Sequence, residues 1–470
     1  RNTRYIGEWS SDVCSSDLYN KHDVSETLAF WHKSLDMVRF REELSVKYQR
    51  NFMNHNDTKI GKDYFIMKLE EAGMPCYTQS PRRPIQTRRS QIHLNEAVFP
   101  YVQFIHPEFQ RIHRWFQSQT ITQTKGAFEN INATINGFKF VFGLGGIHGS
   151  VESQIVESDD EYVLVDCDVA SYYPSLAIAN RVFPEHLSVT FCDIYKDVFD
   201  QRRSHAKGTA ENAMLKLALN GVYGDSNNQY SPFYDSLYTM KITINGQLLL
   251  CMLSEHLMQI PGLTMIQINT DGLTVKMPRS ARPMYDLLCQ WWQDFTCLTL
   301  EFVEYNRMMV RDVNSYIAEY TDGKLKRKGA YGYGSDLDWS QNHSSQVIAK
   351  AAEAALVRGE DVATFIKDHG DIHDFMLRTK VPRSSKLMLG DKQVQNITRY
   401  YITNDGDALV KVMPPTPTQV KKDPNAPDRR IGINVGWMAT ECNNIAQASL
   451  FNINYDYYIQ ECNKLVEVLR

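Results

Sequence analysis

The sequence predicts an α+β fold, in about three domains for a chain of 470 residues. Three stretches predict it. "EYVLVDCDVASYYPSLAI" (Glu161 to Ile178) reads as a buried strand ending near Asp168, then a turn into a helix. From Asp193 to Tyr223 the pattern is helical and broken at Gly208, with Thr209 as N-cap of the second helix, which makes a helical hairpin. "QINTDGLTV" (Gln267 to Val275) reads as a β-hairpin: Met265 to Ile268 favour one strand, Asp271-Gly272 is the turn signal, and Leu273 to Met277 return.

The remaining elements follow in chain order. The first eighteen residues have no apolar periodicity and neither the basic start nor the apolar core of a signal peptide. They resemble a translated sequencing adapter and are expected to be non-native. Tyr19 to about Tyr48 is helical, with Leu28, Trp31, Leu35 and Val38 on one stripe. A polar stretch runs to about Lys62, and mixed segments reach Val141. "FGLGGIHGS" (Phe142 to Ser150) is glycine-rich but lacks the G-x-G-x-x-G order and a following helix, so it is a poor nucleotide cradle. Beyond Trp339, an alanine-rich helix (Val347 to Val357) precedes a mixed region with a proline-rich loop, "MPPTPTQVKKDPNAPDRR".

Composition excludes little. Hydrophobic residues make up 43%, a globular level, and no apolar run is long enough to cross a bilayer, so a soluble protein without a membrane partner is expected. Nine cysteines without a C-x-x-C pair argue against structural zinc or a disulfide framework and suit a reducing cytoplasm. The net charge of −4 does not advertise a nucleic-acid binder. Local clusters differ from that average: "PRRPIQTRRS" carries four arginines, and "KLKRKGAYGYG" four cations beside two tyrosines. Each alone reads as a solvated loop.

The chemistry lies in a constellation. Asp168 ends a strand and is followed by Ser171, Tyr173 and Pro174. In "KLALNGVYG", Lys216, Asn220 and Tyr223 share one helix face, and Arg203 and Lys207 stand four apart on the hairpin's other helix. Asp271 sits at a hairpin tip, where an ordinary Asp-Gly turn is favoured by roughly ten to one if it is taken alone. Together, two carboxylates able to hold two Mg²⁺ ions and cations able to grip a triphosphate are what phosphoryl transfer requires.

These motifs resemble those of family B DNA polymerases, specifically a short bacteriophage type. "DVASYYPSL" is similar to the motif D-x-x-S-L-Y-P-S, with Tyr172 for leucine. "KLALNGVYG" is similar to K-x-x-x-N-S-x-Y-G, with Gly221 for serine, and "NTDG" to D-T-D-S, with Asn269 and Gly272 as departures. "KRKGAY" resembles the K-x-Y element, "FGLGGIHG" loosely the Y-x-G-G stretch, and "YNKHDVSET" the exonuclease motif Y-x-x-x-D at Tyr19 and Asp23.

The resemblance implies a right-hand fold. Residues 1–18 would be non-native, 19–60 a remnant of an RNase H-like 3′–5′ exonuclease domain, and 61–139 a connecting region. The palm, an antiparallel sheet with helices, would be 140–190 and 236–338; the fingers, a helical hairpin, 191–235; the mixed thumb, 339–470. It implies that Asp168, Asp271 and the Val169 carbonyl bind two Mg²⁺ ions, with Mn²⁺ as a substitute. Arg203, Lys207 and Lys216 would hold the triphosphate of a dNTP, with Ser171 beside it. Tyr173 would lie under the sugar and exclude a 2′-hydroxyl, while Asn220 and Tyr223 pack at the nascent base pair. Gly145, Gly146, Gly224, Lys326, Lys328 and Tyr331 would contact primer–template DNA.

The gaps of 48 residues from Asp168 to Lys216 and from Tyr223 to Asp271 leave little room for terminal-protein insertions. An ordinary primer is therefore expected, with replisome proteins as candidate partners, in the cytoplasm of a bacterial host. Exonuclease activity is not expected, because Tyr19 and Asp23 are unaccompanied by the earlier carboxylates. The rival reading is a catalytically inactive nucleic-acid binder, motivated by Asn269 and Gly272. Against it, asparagine at the first position of the triplet keeps the shape and one carbonyl. Asp166, two residues before Asp168 on the same strand face, could restore charge, although a strand-edge salt bridge would explain it equally.

Overall fold

A computed structural model describes residues 6–337, 341, 343–443, 448 and 450–470. Residues 1–5 of the presumed non-native segment, and Trp339 at the expected start of the thumb, lie outside the described residues. The chain mixes helices with antiparallel sheets, as the α+β reading requires. It divides into two compact units: Arg1–Tyr101, Phe116–Ala127 and Ser171–Gly246 form the first, and Val102–Trp115, Phe128–Ala170 and Gln247–Arg470 the second.

The first unit is mainly helical: α1 (Ile6–Tyr48), α2 (Asp57–Glu71), α3 (Tyr172–Ala179), α4 (Thr190–Ser204), α5 (Ala210–Gly224) and the first half of α6 (Ser236–Leu257). The helix expected from Tyr19 begins no later than Ile6, and its apolar stripe is only partly buried: Leu28 is 52% and Trp31 48% exposed. The polar stretch expected to reach Lys62 ends sooner, because Asn56 caps α2 by accepting from the Lys59 N–H at 2.9 Å. Gly61 lets α2 lie directly on α5, since a Cβ there would come 2.5 Å from the Ala218 nitrogen. Phe65 packs its ring against Phe191, Tyr195 and Phe233. Met214, Leu215, Ala218, Leu219 and Val222 turn inward, which leaves Lys216 and Asn220 on the outer face of α5.

The second unit is built on a ten-stranded antiparallel sheet. Its strands are β1 (Asn132–Ile135), β2 (Phe138–Gly143), β3 (Gly146–Ser150), β4 (Gln154–Glu157), β5 (Tyr162–Val169), β6 (Thr264–Asn269), β7 (Gly272–Pro278), β8 (Leu300–Asp312), β9 (Ser315–Tyr320) and β10 (Leu325–Lys328). They run in the order β10-β9-β8-β5-β7-β6-β3-β2-β1, with β4 also paired to β8. The glycine-rich stretch is therefore the turn between β2 and β3, where Gly143 faces Gly146.

Central β5 alternates its side chains. Val163, Val165 and Cys167 turn to the face where Cys167 meets Tyr285 and Cys289 of α7 (Arg282–Thr296). Trp292 of α7 is fully buried and donates its indole N–H to the Leu249 carbonyl at 2.8 Å. Leu164, Asp166 and Asp168 take the other face, where Leu164 packs with Ile266, Tyr305 and Tyr316. A further core joins α8 (Gln346–Arg358), the expected alanine-rich helix, to α9 (Tyr455–Val466) and two smaller sheets. The proline-rich segment is not all loop: Pro417–Lys422 is a short helix, closed by a capping box between Thr416 and Gln419.

Candidate active site

The end of β5 and the β6–β7 hairpin bring Asp168 and Asp271 to one place in the second unit. Asp168 stands opposite Gly272 in the β5–β7 ladder, and the Val169 N–H donates to the Asp271 carbonyl at 2.7 Å. The turn lies one residue earlier than the sequence suggests. Asn269 pairs with Gly272, so Thr270 and Asp271 form the loop and Gly272 opens the returning strand. Thr270 carries φ +51°, a strained value for a β-branched residue. Its N–H donates to the Ile147 carbonyl at 2.8 Å and its hydroxyl meets His148 Nε2 at 3.2 Å, so β3 fixes the turn that presents Asp271. Burial holds the His148 ring below its ordinary pKa, and hence neutral.

Glycine at 272 answers to space, not to dihedral freedom. A Cβ there would overlap Asp168 Oδ1 and lie 2.7 Å from the Cys167 carbonyl oxygen. Gly272→Ala should therefore destabilise the protein by roughly 1–3 kcal/mol, as overpacking does. Urea unfolding checks this, and an unchanged midpoint would mean that Asp168 rests elsewhere.

Asp166, Asp168, Asn269, Asp271, Tyr316 and Lys326 line a cavity of about 300 Å³. Asp168 and Asp271 are exposed as whole residues, yet protein crowds their carboxylates. That crowding, then the charge of Asp166, pushes Asp168 up to about 6, with Lys326 opposing. Asp271 is also raised by crowding, against its own N–H and Lys326. Asp166 is 8% exposed and held on three sides. Thr274 donates to it at 2.6 Å and Tyr305 at 2.8 Å, and the Lys326 ammonium lies 3.4 Å away. Asp166 is thus in a salt bridge, the alternative role anticipated for it, although on a central strand and not at a sheet edge. Burial would lower the Lys326 pKa, but Asp166, Tyr316 and Tyr305 outweigh it, and the ammonium is held charged.

The residues expected at DNA and nucleotide divide between the units. In the second, Lys328 is exposed, whereas Lys326 is turned inward to Asp166. Tyr331 is a correction: it is 0% exposed and donates to the Leu465 carbonyl at 2.9 Å, so its ring belongs to the core and not to a primer contact. Gly145 is exposed, while Gly146 (φ +135°) is buried under Thr270, whose Cγ2 would sit 3.0 Å from an added Cβ.

In the first unit, α5 carries Lys216, Asn220 and Tyr223 on one side and ends at exposed Gly224. The Tyr223 hydroxyl meets Thr243 at 2.7 Å, and its ring centre lies 4.3 Å from that of Tyr173. Tyr173 also stacks on Tyr172, whose hydroxyl donates to the Gly246 carbonyl at 2.5 Å. Thr209 caps α5 as expected, accepting from the Asn212 N–H. Lys207 is a second correction. α4 ends at Ser204, so Lys207 lies in the connecting loop and does not share a helix face with exposed Arg203. Asn212 closes that loop by donating to the Arg202 and His205 carbonyls. Arg202, which the sequence did not single out, points its guanidinium at the Ser171 hydroxyl, 3.4 Å away. Ser171 itself turns the chain at φ +48°. On α1, Asp23 is exposed, and the Tyr19 side chain lies outside the described residues.

No family model and no curated protein matches this chain. Among solved structures, it is similar to the family B DNA polymerase from the hyperthermophilic archaeon Pyrobaculum calidifontis, with 13% identity and a TM-score of 0.36 over 68% of this chain. The match spans 47% of that polymerase's chain, about half its length.

Proposed function

We propose that this chain is a template-directed DNA polymerase of the family B type, adding dNTPs to a primer 3′ end in phage genome replication. One observation carries the reading: the carboxylates of two separate polymerase-like motifs, Asp168 and Asp271, are brought to one cavity by strand register. Residues 140–190 and 236–338 would be the palm, 191–235 the fingers and 339–470 the thumb.

The donors suit Mg²⁺. Among the described residues no group of three or more His, Cys, Asp or Glu side chains is placed to hold a metal. Mg²⁺, however, commonly takes one or two carboxylates and completes its shell with water and substrate phosphates. Asp168 and Asp271, both crowded carboxylates, and the Val169 carbonyl would hold it, with Mn²⁺ as a substitute. When bound, Mg²⁺ would supply electrostatic stabilisation of the negative charge on the attacking and leaving oxygens. The chain's own residues bind and orient: Lys216, Arg203 and Lys207 neutralise the triphosphate, Tyr173 bounds the sugar, and Asn220 and Tyr223 abut the base pair. Lys328 supplies phosphate contact to primer–template DNA, an interaction that weakens with salt.

Extension of a 5′-labelled primer on its template, with dNTPs and Mg²⁺, tests the reading. Tight, Mg²⁺-independent DNA binding without extension would favour the inactive binder instead. Lys216→Ala should raise the KM for dNTP and lower kcat, by roughly tenfold or more in kcat/KM, about 1.4 kcal/mol, because a contact that strengthens in the transition state is lost. Unaltered dNTP kinetics with weaker DNA binding would move Lys216 to the template path.

A further inference from the structure

The metal-facing cavity already contains a fixed cation. The Lys326 ammonium is anchored by the Asp166 carboxylate at 3.4 Å and by the Tyr305 hydroxyl, to which it donates at 3.0 Å, with the Tyr305 and Tyr316 rings 5.7 and 6.0 Å from its nitrogen. Its side chain is only 25% exposed, and it lines the same cavity as Asp168 and Asp271. Asp166 in turn is immobilised by Thr274 and Tyr305, so the lysine is bonded to groups that are themselves fixed. Three aspartates against Lys326 and Lys328 leave the cavity a formal charge of −1, with an uncharged amide at Asn269.

We propose that Lys326 is a positioning residue that acts as a resident cation of this site, holding down its affinity for divalent metal. The inference rests on the metal-binding reading of Asp168 and Asp271. Its physical content is a sign. A positive charge fixed beside two carboxylates repels an incoming divalent ion, and neutralising it should tighten binding. A lysine that served only to support the fold would leave binding unchanged or loosen it when lost. A lysine that served only DNA would not affect metal in the absence of DNA. Asp166 has the opposite sign: it supplies negative charge to the cavity and anchors the ammonium, so its loss should weaken binding. The carboxylate sits on β5 and carries its own counter-ion from β10.

The test is Mn²⁺ binding by the full chain without DNA or nucleotide, with free Mn²⁺ counted by electron paramagnetic resonance. Lys326→Gln keeps a hydrogen-bond donor toward Asp166 and Tyr305 but drops the charge; it should lower the Mn²⁺ Kd by about fivefold or more, the order expected for removing a nearby unit charge in a partly solvated site. Lys326→Met should do the same if it folds, Lys326→Arg should stay near wild type, and Asp166→Asn should raise the Kd. A folded Lys326→Gln protein with an unchanged or higher Kd overturns the proposal. A different outcome separates failure of the underlying site: if wild type and Asp271→Asn bind Mn²⁺ alike, Asp271 is not a metal ligand and the polymerase reading loses its centre.

Discussion

Asp271→Asn should abolish primer extension, by on the order of a thousandfold or more, about 4 kcal/mol in barrier. The substitution removes one of only two carboxylates that the cavity offers besides lysine-paired Asp166, and replaces an anionic oxygen by an amide nitrogen that cannot bind a cation. The fold should not notice. Asp271 is exposed, and what the turn uses is its backbone carbonyl, which accepts from Val169. Its carboxylate is crowded like that of Asp168, so loss of the charge should leave Tm near pH 7 unchanged or slightly higher, and not lower. Asn269→Asp, by contrast, adds a charge where a neutral amide already serves, and should keep extension within roughly tenfold, about 1.4 kcal/mol. Retention of most activity by Asp271→Asn would break the assignment of metal binding to this pair.

Divalent-metal affinity should fall about tenfold per pH unit below about pH 6 and level off above about pH 7, since proton and metal compete for the same carboxylate. The cause is Asp168, which crowding and then Asp166 push up to about 6 in the metal-free fold. A carboxyl whose pKa is higher folded than unfolded binds its proton more tightly in the fold. Its contribution therefore favours folding at low pH and is lost as pH rises from the ordinary value of 3.8 through about 6. Asp168→Asn removes the charge that the fold resists. It should end extension, yet raise the Tm of the metal-free protein near pH 7 and not near pH 3. Mn²⁺ titrations and thermal melts across pH check both halves, and a pH-independent Kd would show that Asp168 is ordinarily ionised.

Much of this was legible locally. The strand ending at Asp168, the helix bearing Lys216, Asn220 and Tyr223, and the Thr209 cap all follow from periodicity and from turn chemistry within a few residues. All the misses but one share a cause, which is tertiary register. Asp271-Gly272 has the composition of a turn, but Gly272 is required by the Asp168 carboxylate across the ladder, and that displaces the turn by one residue. Tyr331 beside a basic run suggests a polymer-facing ring; only the packing of α9 shows that its hydroxyl is spent on Leu465. Lys326 meets Asp166 across 160 residues of sequence, beyond any local pattern. Lys207 was misplaced for a simpler reason: α4 stops at Ser204, four residues before Gly208, so helical spacing had already lapsed.

The position of β5 also has a consequence in time. It is laddered on both sides, to β7 over seven residue pairs and to β8 over six, and Val163, Leu164, Val165 and Cys167 are nearly or fully buried. Amides so enclosed exchange with solvent only when the surrounding unit opens as a whole, whereas exposed helices exchange through local fraying. In a deuterium-exchange time course, the peptide covering 162–169 should be among the last to label, and the exposed part of α1 around Leu28 and Trp31 far ahead of it. The reverse order would contradict the placement of β5. The carboxylate at the end of β5 is thus carried by a backbone that opens rarely, and Asp168 keeps its station for nearly as long as the unit stays folded.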